Sequence, residues 1–499
     1  MSIFIKNFTS EDNGSRISIL MVHQELSLGQ TTLQANGILG TPLITGNYVS
    51  PEHRLPLPAP IGDHYLRQTF VPAVQEGEVV VCNTLVEGLL RYYKQVGLVL
   101  NDSQVIEVEP GNTESVPYGY PVTDPLQALV NNVQIRVDDE CSPATLISTF
   151  TGPEISAQAD ALGLLTLERE PSSKSNSKAL LRESSVAYGF SMLPGAVVRT
   201  EEELNAVLDT DWNTENGIWL KFPTGSGGDL VYRIEGKATP EALLNGIHKL
   251  REVVAQSFKE ANFTMPFEEF WPSNVFVPPD LPFVVEADAK EMGEIIANGS
   301  TQIITNKNGA INTIGHFKQL TSPETGEYLG NEPFNDIDEG MSAVVEEQVN
   351  RVGEFNMTHN RYYGIQGIDW FLMRGKDGAV NAYVVELNSR PTANTPPVIM
   401  AEKLHAPYWI NTNVFTDQPI RSVDDFIDLV GPEYAYGSPT EGGMVVPQAF
   451  RTIVRRKGIE ASPNFKILIM GSGPEHCREI MQLLESKKIK FRPQQDGND

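Results

Sequence analysis

The stretch Trp219 to Ile234 reads WLKFPTGSGGDLVYRI: two apolar runs around a glycine-rich turn, with a lysine near the end of the first. A turn of this composition lets backbone N–H groups approach an anion with no Cβ in the way. The pattern is neither GxGxxG nor GxxxxGK[ST]. Leu230 to Ile234 continues as a strand where those motifs would require a helix. The chain is therefore constrained to present a phosphate-type loop from a β-hairpin, with Lys221 on the incoming strand and Gly225, Ser226, Gly227 and Gly228 in the turn. A plain hairpin with a loose turn and a surface lysine satisfies the same residues. The rest of the chain must then supply what a nucleotide triphosphate needs, above all hard oxygen ligands for a divalent metal.

Gly364 to Thr395, GIQGIDWFLMRGKDGAVNAYVVELNSRPTANT, meets that need. Ile368 to Met373 and Ala379 to Val385 are predicted strands joined by a turn at Lys376-Asp377-Gly378. Asp369 begins the first strand, while Glu386 and Asn388 end the second, so the hairpin gathers all three at one end. Their spacing of two puts Glu386 and Asn388 on one face. Arg390 continues the alternation and can reach a phosphoryl group or a developing oxyanion.

Around these pieces the chain divides. Residues 1 to about 170 alternate α and β: Arg16 to Val22 and Glu78 to Val81 are continuous apolar runs of the parallel-strand type, and Leu85 to Val99 and Ala157 to Leu165 have helical character. Pro51 to Pro60 is loop-prone, and Pro171 to Ser177 (PSSKSNS) reads as a linker. Ser177 then caps a helix that stops at Gly189, Thr200 and Glu203 form a capping box, and Thr239-Pro240 opens a long helix with apolar positions 243, 247, 250, 254 and 258. Near the C-terminus, Lys466 to Met470 followed by Gly471-Ser472-Gly473 reads as a plain β–α turn, with Cys477 in the core beyond it.

A length of 499 residues suggests roughly three domains. The formal net charge of -26 argues against a general nucleic-acid or anionic-membrane partner, so a polyanionic ligand would need a local basic pocket. Three scattered cysteines with no CxxC fit reduced thiols. The first residues lack a signal peptide's pattern and no apolar run approaches the roughly 20 residues that span a bilayer, so the expected location is the cytoplasm.

In order along the chain stand Lys178 in NSKALLRE, then LKFPTGSGG, an apolar strand ending at Glu286, Asp369, and ELNSR with TANT after it. This combination resembles the ATP-grasp superfamily. The resemblance implies an α/β and α+β chain: an N-terminal α/β pre-ATP-grasp domain over 1–170, an ATP-grasp core over 171–425 (glycine-loop part about 190–285, metal-binding part about 286–425), and a small C-terminal α/β domain over 426–499. It implies that Lys178 and Lys221 contact ATP phosphates, that the 225–228 loop folds over them, and that Asp369, Glu386 and Asn388 hold two Mg²⁺ ions, with Mn²⁺ able to substitute. Arg390 and Lys221 would be the catalytic cations. Glu286, Ala287 and Asp288 would form the adenine hinge, with Pro266 to Glu269 as the rival segment, and Glu294 would bind ribose.

One position departs from the pattern: Gly367 stands where D-alanine:D-alanine ligases carry an arginine. The stretches STQIITNKNGAINTIGHFKQL and GEYLGN are similar to the pheganomycin-type peptide ligases. The implied activity is ATP-dependent amide or peptide bond formation through an acyl phosphate, on small amino-acid or peptide substrates, with no nucleic acid or membrane partner. A homodimer would be in keeping with relatives. The alternatives are a ligase with a non-amino-acid acyl donor, or a non-catalytic ATP-binding regulatory protein.

Overall fold

A computed structural model describes residues 42–44, 71–74, 79–83, 85–99, 105–108, 145–147, 165–166, 176–223, 230–261, 267–273, 276–277, 281–306, 309–321, 328–417, 420–455 and 458–491. The strand expected at 16–22, the proline-rich stretch, most of the 157–165 helix, most of the linker and the glycine turn lie outside these residues.

Strands β1 (Pro42–Ile44), β2 (Val79–Asn83), β3 (Val105–Val108), β4 (Thr145–Ile147) and β5 (Leu165–Thr166) form a parallel sheet in the order β3-β2-β1-β4-β5. The continuous apolar run at 78–81 thus becomes a central parallel strand, as its pattern implied. The helix expected over 85–99 is shorter, α1 (Leu89–Gln95). Gly88 and Gly97 both adopt left-handed backbone (φ 78° and 80°), which bounds the helix on either side. Tyr92 and Tyr93 anchor it in the main core, donating to the carbonyls of Ala435 (2.7 Å) and Pro447 (2.8 Å).

A second sheet is antiparallel, with β6 (Gly195–Val198), β7 (Ile218–Lys221), β8 (Val231–Ile234) and β9 (Phe283–Ala287) in the order β6-β9-β7-β8. Three helices serve it: α2 (Lys178–Tyr188), α3 (Glu201–Leu208) and α4 (Pro240–Ala261). Both expected caps form, Ser177 accepting from Leu180 N and Thr200 with Glu203 closing a capping box. The stripe on α4 buries Leu243, Ile247, Leu250 and Val254 against Leu220, Phe222 and Trp271.

The third sheet has eight strands: β10 (Gly293–Thr305), β11 (Ile311–Thr321), β12 (Tyr328–Pro333), β13 (Gly364–Gly375), β14 (Val380–Asn388), β15 (Tyr408–Phe415), β16 (Met444–Arg455) and β17 (Gly458–Gly471). Their order is β14-β13-β10-β11-β12-β15-β17-β16. Helix α5 (Glu339–His359) packs Val345, Val349, Val352 and Phe355 on Ile303, Ile368, Trp370 and Val384. Alternation then sends Asp369, between Ile368 and Trp370, to the opposite face. On that side α6 (Thr395–Lys403) docks through Gln302, which donates to Thr392 Oγ1 (2.7 Å) and accepts from Thr395 Oγ1 (2.9 Å). Helices α7 (Val423–Val430) and α8 (Pro474–Ser486) complete the main core, where Cys477 is buried and its thiol pushed up to about 12, chiefly by burial.

One strand start needs correction: Asp369 lies mid-strand, because β13 begins at Gly364, and its register partner Ser300 likewise lies inside β10, which begins at Gly293. The glycines of GIQG and of GEIIANGS look like turn residues. They pair nonetheless, Gly364 with Thr305 and Gly299 with Trp370, and at Gly299 a Cβ would come within 2.3 Å of the Trp370 ring. Among the described residues no helix is long and apolar enough to cross a membrane.

Candidate active site

Three elements bring the motif residues together. Helix α2 starts beside the glycine hairpin: Lys178 N donates to Pro223 O (2.9 Å), and Ser389 N donates to Asn176 Oδ1 (2.8 Å) just ahead of the helix. From this anchored first turn the buried Lys178 extends Nζ to Glu386 Oε1, 2.8 Å away. One turn on, Arg182 donates to Glu286 Oε2 at 2.5 Å. Lys221, at the end of β7, donates to Glu286 Oε1 at 2.7 Å. Burial pushes the Glu286 carboxyl upward, but Lys221 and Arg182 outweigh it and hold it below the usual carboxylate range.

On the third sheet, register pairs Asp369 with Glu386 on β14 and with Ser300 on β10, and Asn388 with Gly367. Asn388 Nδ2 lies 3.5 Å from Asp369 Oδ2, and Arg390 Nη2 donates to Asn388 Oδ1 at 2.8 Å. The Asp369 carboxyl rises to about 6, first from burial and then from the Glu386 charge, against hydrogen bonds from Ser300 and Gln319 and the pull of Arg390. Holding Asp369 ionised in this buried place beside Glu386 is therefore costly, and a divalent cation would offset that cost. Among the described residues no three His, Cys, Asp or Glu side chains converge as a metal cage. Two carboxylates and a carboxamide instead suit Mg²⁺, which binds through one or two carboxylates together with phosphate oxygens.

The cluster as a whole sets Lys178, Arg182, Lys221 and Arg390 against Glu286, Glu386 and Asp369. This is a local cationic surplus within a strongly acidic chain.

The remaining predicted residues fall differently. Gly225, Ser226, Gly227 and Gly228 lie outside the described residues. The backbone N–H groups of Ala287 and Asp288 are bonded to Pro194 O (2.8 Å) and Gly217 O (3.1 Å), while the Asp288 carboxylate takes Trp219 Nε1 and Arg233. In the rival segment Glu268 is exposed and pairs with Arg251. Glu294 is exposed beside Arg374, six residues before Ser300 on β10 and so roughly 20 Å along the strand from the Asp369 corner.

Sequence reading missed Arg182, Ser300 and Gln319. Arg182 sits four residues after Lys178, a spacing that puts both on one helix face and could have flagged it. Ser300 and Gln319 carry no local signal, since only the register of β10 and β11 brings them to Asp369.

No protein-family model matches the chain, and no curated protein is detectably similar in sequence. Solved structures are similar in shape. The biotin carboxylase β,γ-ATP complex from Campylobacter jejuni aligns at 11% identity and TM-score 0.51, covering 90% of this chain and 91% of its own. An N5-carboxyaminoimidazole synthetase from Staphylococcus aureus aligns at 12% identity and TM-score 0.45 (90% and 96% covered), and a phosphoribosylamine–glycine ligase from Thermotoga maritima at 11% and 0.48 (90% and 96%). At such low identity the likeness is one of fold, and the fold of this chain is the ATP-grasp fold.

Proposed function

We propose that the protein is an ATP-dependent carboxylate–amine ligase, ADP-forming, that makes an amide or peptide bond between small amino-acid or peptide substrates through an acyl phosphate. The observation that carries this reading is that one helix ties two elements together: Lys178 reaches Glu386 of the Asp369, Glu386, Asn388 and Arg390 hairpin, while Arg182 reaches Glu286, which also holds Lys221.

In this reading a substrate carboxylate oxygen attacks the γ-phosphorus of ATP and ADP departs. An amine then attacks the acyl carbon and inorganic phosphate leaves, with one proton lost from nitrogen. Such chemistry asks for positioning and charge neutralisation rather than a protein nucleophile. Lys178 and Lys221 neutralise phosphate oxygens, exchanging Glu386 and Glu286 for the nucleotide. Arg390 stabilises the transferring phosphoryl group and then the tetrahedral oxyanion. Asp369, Glu386 and Asn388 would hold Mg²⁺, which would supply charge neutralisation for the phosphates. Residues 286–288 lead from β9 toward the adenine, the 225–228 turn would cover the phosphates, and 1–170 and 426–499 contribute substrate specificity.

The test is Mg²⁺-dependent ADP release across amino acids, singly and in pairs, with and without hydroxylamine. Hydroxamate formed with a single acid identifies the acyl donor and supports the acyl phosphate. ATP binding with no ADP release from any acid or pair would overturn the amino-acid ligase reading.

A further inference from the structure

The face of the eight-stranded sheet that carries Asp369 continues across five strand steps to a second group of buried polar side chains. Lys466 on β17, 3% exposed, stands directly opposite Asn413 on β15 and Ala449 on β16. Asn411, two residues before Asn413, shares its face. Gln448 is an extra residue inserted into β16 at this point, between the pairs Pro447–Ile467 and Ala449–Lys466.

This group is poorly satisfied. Asn411 Oδ1, Asn413 Oδ1 and both polar atoms of the Gln448 carboxamide are buried with no hydrogen-bond partner. Lys466 is buried in register with Asn413 and Ala449, with no counter-charge among the described residues. Burial without a counter-charge holds that amine down to about 8. A buried ammonium without a counter-charge is not a stabilising device, since an apolar side chain of similar volume would serve the fold better. Other buried amides on this face are bonded: Gln302 to Thr392 and Thr395, Asn331 to Asn394. Asn411 joins that network through Nδ2 to Asn331 Oδ1 (2.6 Å), which ties the group to the loop that follows Arg390.

The orphaned atoms are of both kinds. Gln448 Nε2 is a donor, beside which Lys466 adds a buried cation, and three carboxamide oxygens offer acceptors. A simple anion would satisfy the donors and leave the oxygens bare, whereas a molecule with both a carboxylate and N–H donors satisfies both sets. We propose that Lys466, Gln448, Asn413 and Asn411 form a binding site for the ammonium–carboxylate head of an amino-acid ligand. Five strand spacings, roughly 24 Å across the sheet, make it a subsite distinct from the phosphoryl-transfer corner.

The experiment is calorimetry on the full chain without nucleotide, so that its outcome does not depend on ligase activity. The probes are the proteinogenic amino acids, with acetate, inorganic phosphate and N,N,N-trimethylglycine as controls that lack N–H donors. At least one amino acid is expected to bind while the controls do not. Lys466→Met and Asn413→Ala are each expected to weaken binding roughly ten- to a hundredfold. Ligand-free Lys466→Met is expected to melt no lower than the unmodified chain.

Several results would overturn the site: no amino acid binding, controls binding as tightly, unchanged affinity in Lys466→Met, or a lowered melting temperature for that variant. Amino-acid-driven ADP release with binding indifferent to Lys466→Met would leave the ligase reading standing and remove this site. Binding lost in Lys466→Met with no ADP release from any pair would do the reverse.

Discussion

Glu286 and Lys221 meet across β9 and β7 with 2.7 Å between Oε1 and Nζ, while the second oxygen of Glu286 takes Arg182 at 2.5 Å. One buried carboxylate thus holds the lysine at the end of β7 and a helix arginine in place together. Glu286→Gln would leave two neighbouring cations without their counter-charge, at an expected cost of about 3–5 kcal/mol. Lys221→Met leaves Glu286 still paired with Arg182 and should cost clearly less. Urea unfolding of both variants decides the matter, and equal losses would contradict the arrangement.

Asp369 gives a prediction about the metal corner. Its folded carboxyl lies near 6 against an ordinary 3.8, so the associated stability is fully present below 3.8 and lost as pH rises through about 6. At pH 7.5 without metal, Asp369→Asn should therefore be more stable than the parent chain, by roughly 1–3 kcal/mol. The same variant should lose the rise in melting temperature that MgATP confers on the parent. A variant stabilised by MgATP to the parent's extent would mean that Asp369 is not a ligand.

A second pH effect lies away from the site. Burial raises Glu402 on α6 to about 8 from 4.5, and its Oε1 has no hydrogen-bond partner. The associated stability is present below 4.5 and disappears as pH climbs through about 8. Glu402→Gln should match the parent at pH 4.5 and exceed it at pH 8.5 by roughly 1–3 kcal/mol, allowing for partial exposure. A constant difference across that window would count against the buried, partnerless placement.

Gly367 offers a steric test. A Cβ there would come within 2.4 Å of Thr392 Cγ2, and Thr392 Oγ1 accepts from Gln302. Gly367→Ala should cost about 1–3 kcal/mol through overpacking and reduce ADP release. Thr392→Ser removes the obstructing methyl and keeps the hydroxyl, so the double variant should recover most of both losses. Without recovery, crowding against Thr392 is not the reason for the glycine.

These contacts also show what the sequence made legible. The residues of the Asp369 hairpin could be placed because two-residue alternation and a short turn are local matters, readable one strand at a time. Lys178 and Lys221 could be placed because a cap and a strand end each mark them. Glu286 was read as a hinge residue, yet its side chain serves Arg182, 104 positions away, a distance over which no periodicity operates. The polar group around Lys466 was invisible for a similar reason: Asn411, Asn413, Gln448 and Lys466 meet only through the pairing of three strands. A strand start was misplaced where glycine in a closely packed strand looks the same as glycine in a turn.

The position of β17, between β15 and β16, bears on how the chain is made. A ribosome delivers β16 before β17, with which it pairs. In that interval the nascent chain displays an open β15 edge and an unmatched apolar strand, both apt to pair with neighbouring chains. Premature termination between the two strands would thus yield a sticky product rather than a shortened but sound protein.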